Sequence, residues 1–133
     1  MYRIIFIWCI FSIHVSAQGQ NVAYLFFNAD NNETCTQVNA DGSTAVVDTF
    51  FKMENKSSIT FFICGERFLY KKTQAKNEIY PIQKIDKLKL IPIEEAVKLW
   101  KDSKKSKQEV FDKIYIIQKN SPDTVVFYPV NWM

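Results

Sequence analysis

Apolar residues in this chain fall into short runs of strand length, and the spacing turns helical only once. Val22 to Phe27 is apolar on both faces, as in a strand covered on both sides. Thr34 to Asn39 alternates loosely and ends at Ala40-Asp41-Gly42-Ser43. Asp-Gly favours a hairpin because glycine accepts positive φ without penalty, so Ala45 to Met53 is expected to be the return strand. Ser58 to Cys64 is rich in strand formers, and Gly65 marks a bulge or tight turn. Ile85 to Ile91 alternates in part, as in a half-exposed strand. The period then changes. Ile93, Ala96, Val97 and Trp100 lie at i, i+3, i+4 and i+7, one face of a helix. Pro92 suits its first turn, and Glu94, Glu95 and Lys101 match the dipole. Lys113 to Lys119 and Thr124 to Trp132 read as two strands. Ile114, Ile116 and Ile117 are apolar on both faces, which predicts a central strand. Pro129 predicts an edge or a break in the last one. The expected fold is α+β: a mostly antiparallel β-sheet, an N-terminal meander plus a C-terminal hairpin, with one main amphipathic helix packed on it.

The first residues have a different character. Arg3 is followed by the apolar run Ile4 to Phe11 and by Val15-Ser16-Ala17, which fits a small-residue cleavage site. Residues 1–17 therefore read as a signal peptide and residues 18–133 as a single α+β domain. The run is too short for a membrane span, which takes roughly 20 apolar residues. The mature protein is expected to be secreted or periplasmic, with no membrane span once the signal is cleaved.

Cleavage removes Cys9 and the chain's one histidine, His14. What remains cannot build a Ser-His-Asp or Cys-His arrangement, or an imidazole-bound zinc site. No glycine-rich nucleotide loop is visible. No catalytic residue, cofactor or metal ligand is assigned. Asp30-Asn31-Asn32-Glu33 and Asn39-Ala40-Asp41 are rich in oxygen, but they lack the ligand spacing of a calcium loop and suit turns. Cys35 and Cys64 are disulfide candidates in an oxidising compartment. Two unlinked thiols or one reactive thiol remain alternatives, and Cα atoms more than about 7 Å apart would forbid the bridge. Asn32 and Asn55 open glycosylation sequons on expected turns.

Charge is uneven. Residues 18–65 carry five acids and two lysines, and residues 66–133 carry fourteen basic residues and nine acids. Lys98, Lys101, Lys104, Lys105 and Lys107 concentrate the excess at the helix end. Without interleaved aromatics this suits a solvated helix end better than a nucleic-acid site. Tyr128, Trp132, Lys101, Lys104 and Lys105 are candidates for a binding surface, but the aromatics more simply complete the core.

These features favour an exported, small, non-enzymatic binding module that engages a protein, peptide or glycan, with no nucleic acid. One alternative is a small carboxylate-dependent hydrolase, which needs two of Asp30, Glu33, Asp41, Asp48, Glu66 or Glu78 facing each other about 5 to 9 Å apart. The other is a structural envelope component.

Overall fold

The computed structural model describes residues 21–133. The expected signal peptide lies outside them. Among the described residues there are nine strands: β1 (Val22–Phe27), β2 (Thr34–Val38), β3 (Thr44–Asp48), β4 (Phe50–Glu54), β5 (Ser58–Ile63), β6 (Glu66–Lys71), β7 (Glu78–Pro81), β8 (Lys113–Lys119) and β9 (Thr124–Trp132). The helix α1 covers Ile93–Ser103, and short 3-10 segments cover Ile82–Lys87 and Lys107–Glu109.

Among the described residues the fold is mostly β, with a curled mixed sheet and one real helix, which corrects the expected mostly antiparallel sheet. Its order is β1-β8-β9-β6-β5-β4, with β7 also on β9. The first strand is the reason for the mixing. β1 does not open a meander. It crosses to the far end of the chain and pairs in parallel with β8, Tyr24 beside Tyr115 and Leu25 beside Ile116. The hairpin β2–β3 forms a separate two-stranded sheet. The expected strand over Ile85–Ile91 is also absent. Its first part is 3-10, and only Leu90 forms a bridge, to Tyr24. β7 falls in a stretch to which the sequence pattern assigned no element.

β8 is central, between β1 and β9, as its two apolar faces require. β9 is central too, despite Pro129. Its first residues pair with β7 and its last two with β6, on the side away from β8. The Asp123 carbonyl accepts from Ile82 N–H at 2.8 Å, and Met133 N–H donates to the Arg67 carbonyl at 2.9 Å. Main-chain groups alternate along a strand, so odd-numbered residues of β9 face β7 and β6. The Pro129 nitrogen therefore points between the start of β7 and the end of β6, where no ladder bond is lost.

The turns follow their residues. β5 and β6 are joined by Cys64 and Gly65 alone, at φ 49° and 85°. Two positive φ values make the I′ hairpin turn, whose twist matches its strands. The β2–β3 turn uses Gly42 at φ 87°. α1 begins after Pro92 and ends at Ser103, where Lys104 turns left-handed.

The curl wraps a core. Leu25, Phe27, Ile116, Phe61, Phe68 and Trp132 are buried in it, and Ile93 and Ala96 bring α1 onto it. A second cluster, Ile117, Val125 and Phe127, lies on the opposite face of β8 and β9. β9 thus buries both of its faces.

Candidate functional site

The second cluster is only partly roofed. Alternation along β1 sends Ala23, Leu25 and Phe27 into the main core and Tyr24 outward. On β8 the same alternation sends Ile114 and Ile116 in and Tyr115 out. The parallel register sets the two tyrosines side by side. Their rings lie 5.6 Å apart and nearly parallel, at 13°. Phe127 on β9 is buried, and the rings of Tyr24, Tyr115 and Tyr80 stand 6.2, 6.3 and 4.9 Å from it. Tyr80 comes from β7. The 3-10 segment and Leu88 pack over part of this face and leave a depression of about 240 Å³.

Its walls are Tyr24, Tyr80, Tyr115, Phe127 and Pro129, and its charged groups are Lys76, Lys84 and Glu78. The Lys84 ammonium sits 3.6 Å from the centre of the Tyr80 ring, a cation–π contact. The Tyr80 hydroxyl donates to the Glu78 carboxylate. That bond raises the Tyr80 phenol above its ordinary pKa of 10, because an ionised phenol would lose it and face the carboxylate. Three phenols, two ammonium groups and one carboxylate thus converge over an aromatic floor. Among the described residues no cluster of three metal-ligating side chains occurs.

The residues singled out from sequence lie elsewhere. Trp132 is 1% exposed, so it belongs to the core and not to a binding surface. Its indole stacks on Phe68 at 5.6 Å and donates to Glu66 at 3.0 Å. Tyr128 is half-buried and packs on Phe61 and Tyr70. Burial raises its phenol pKa above 10. Both aromatics finish the core. Lys104 and Lys105 are exposed beyond the end of α1. Lys101 lines a wide groove of about 970 Å³ between α1 and the β2–β3 hairpin, with Gln37, Val38 and Lys98. Lys107 is not part of a free cationic patch. It meets Glu66 at 2.7 Å and lies over the rings of Trp100 and Trp132.

Cys35 and Cys64 are bonded, with Cα atoms 5.4 Å apart. The bridge ties the hairpin to the β5–β6 turn. Of the six carboxylates considered for catalysis, no two line the same one of four depressions. Asp30 and Glu33 belong to a loop shaped by asparagine side chains, since Asn28 and Asn31 accept from their N–H groups. Asp41 accepts from Ser43 in the hairpin turn, which lowers its pKa.

Tyr24 and Tyr115 escaped notice because β1 and the centre of β8 are apolar on both faces. One signal was available: in β1 and in the centre of β8 a single tyrosine stands among apolar side chains, and a phenol needs a wet or hydrogen-bonded end. Among the described residues no helix is long and apolar enough to cross a membrane. No protein-family model matches the chain, and comparisons with curated proteins and with solved structures find no match either.

Proposed function

We propose that this chain is an exported, non-enzymatic binding module that holds a saccharide ring in the tyrosine-lined depression. The observation that carries the reading is the convergence of Tyr24, Tyr80 and Tyr115 around Phe127, with Lys76, Lys84 and Glu78 at the rim. A sugar ring has an apolar C–H face and a belt of hydroxyls. The aromatic rings suit the face. The phenols, ammonium groups and carboxylate supply both donors and acceptors for the belt. The volume of about 240 Å³ falls below the range of roughly 300–1,000 Å³ typical of drug-sized ligands. A single ring, free or at the end of a longer glycan, fits that size.

Two further facts support binding over hydrolysis. The depression holds one carboxylate, Glu78, one oxygen of which accepts from Tyr80. A glycosidase of the usual kind needs two carboxyl groups across the scissile bond. The Cys35–Cys64 bond is the covalent chemistry expected of an oxidising, extracytoplasmic setting.

The test is a glycan array probed with the secreted protein, followed by calorimetry on the best ligand. Tyr115→Ser and Lys84→Ala should each weaken binding about tenfold or more, roughly 1.4 kcal/mol. Lys105→Ala, far from the depression, should leave it unchanged. An array with no ligand tighter than about 1 mM refutes the proposal, as does a ligand indifferent to Tyr115 and Lys84.

A further inference from the structure

We propose that the free edge of β4 pairs with β4 of a second copy of this chain, antiparallel and centred on Met53. β4 is the last strand on its side of the sheet. The Thr49 carbonyl accepts from Cys64 N–H at 2.8 Å, and Asn55 N–H donates to the Ser58 carbonyl at 2.9 Å. Odd-numbered residues of β4 therefore aim their main-chain groups at β5. By alternation, Phe50, Lys52 and Glu54 aim theirs away from the sheet. The Thr49 N–H reaches the Glu33 carbonyl at 2.9 Å on that same β5-facing side, so β2 continues the paired side of the ribbon and does not cover the outward groups of Phe50, Lys52 and Glu54. Among the described residues that outward ladder is open.

Charge selects the occupant and the register. A lysine on an exposed edge normally discourages pairing. Centring two copies on Lys52 would set the lysines against each other. Centring them on Met53 sets Lys52 opposite Glu54 of the second copy, and Glu54 opposite Lys52. Opposite charges in directly facing positions stabilise a strand pair, and like charges destabilise it. The same register aligns residues 52 and 54, whose N–H and C=O groups point outward, so each facing pair exchanges two hydrogen bonds. Glu54 already meets Lys72 at 2.7 Å through one oxygen, and its other oxygen is free to face the second lysine.

The opposite face is apolar. Met53 is 57% exposed and Phe51 48%, and Phe51 leans on Phe62 at 5.5 Å. In this register Met53 meets Met53 of the second copy, with Phe51 of each copy beside them. One face of the joint is then a ring of alternating charge and the other a methionine–phenylalanine cluster.

Sedimentation of the full secreted chain tests this without a ligand. The wild type should self-associate reversibly as concentration rises through the micromolar range. Lys52→Glu alone, and Glu54→Lys alone, put like charges opposite each other and should weaken association about tenfold or more. Mixed in equal amounts, the two variants restore both facing pairs and should associate about as well as the wild type. Far-UV circular dichroism of each variant checks that the fold persists. A wild type that stays monomeric to about 1 mM overturns the proposal. So does association that both single variants retain, or a mixture no stickier than its components.

Discussion

Cutting the Cys35–Cys64 bond should loosen one identifiable part of this molecule before it weakens the whole. The β2–β3 hairpin shares no strand ladder with the main sheet. It is held by the disulfide, by hydrogen bonds at Thr49, and by Gln37, which lies against Gly65. The bond joins residues 29 apart. For a loop of that length the chain-entropy model gives about 12 cal/mol/K, or about 3.6 kcal/mol at 25 °C. With a urea slope of about 1.5 kcal/mol/M, reasonable for a domain of this size, the midpoint should fall by about 2.4 M. That figure assumes the hairpin stays docked. If it undocks on reduction, the native state regains part of the same entropy, so the global shift shrinks while local protection is lost. The assay therefore needs two readouts on the reduced protein or on Cys35→Ala/Cys64→Ala. One is the urea midpoint. The other is amide exchange, which should speed up across residues 34–48 and not in β8 or β9. A midpoint and a hairpin protection both unchanged by reduction would refute the reasoning, because something other than the disulfide would then be fixing the hairpin.

Other consequences are simpler. Glu66→Ala should cost about 2 kcal/mol, read by urea unfolding, because it leaves the Trp132 N–H and the Lys107 ammonium without their shared acceptor. Gly65→Ala should cost about 1–2 kcal/mol in the same measurement, chiefly for a side chain at φ 85°. The atoms nearest the added Cβ belong to the movable end of Gln37. The Glu54 carboxyl lies below its ordinary pKa of 4.5, first because Lys72 donates to it. A depressed pKa means stabilisation that is present at neutral pH and lost as pH falls through the lowered value. Lys72→Met should raise the Glu54 pKa in an NMR titration. An unmoved titration would show that the ion pair does not persist in solution.

Local signals in the sequence carried the individual elements well. The i, i+3, i+4, i+7 pattern from Ile93 to Trp100 located α1, because an amphipathic helix must show its period. The Asp-Gly pair located the β2–β3 turn, and the flanking isoleucines marked β8 as central. The two cysteines were close enough in the fold to bond. Pairing between distant strands was not legible. The parallel partnership of β1 and β8 is a long-range contact, and a strand apolar on both faces declares burial without naming its neighbour. The tyrosine depression was hidden for the same reason: Tyr24, Tyr80, Tyr115 and Phe127 come from four strands that only the sheet order brings together.

Pro129 shows how a correct local rule can lead to a wrong global one. Proline cannot donate to a ladder, so a proline in a strand argues for an edge. The rule concerns one nitrogen, not the whole strand. β9 is long enough to leave β7 after Phe127 and meet β6 only at Asn131. The nitrogen of Pro129 faces the interval between them, while on the other side Tyr115 still pairs with it in register. The strand stays central because its one missing donor falls where neither neighbour asks for it. The same interval shapes the depression, since Pro129 is one of its walls and Phe127, two residues earlier, is its buried floor. Two residues later again, Asn131 pairs with β6, and Trp132 on the alternate parity closes the main core. One strand therefore builds the candidate site with one face and anchors the fold with the other. Substitutions at Phe127 should consequently couple ligand binding to stability, whereas those at Tyr115, half-exposed at the rim, should separate them.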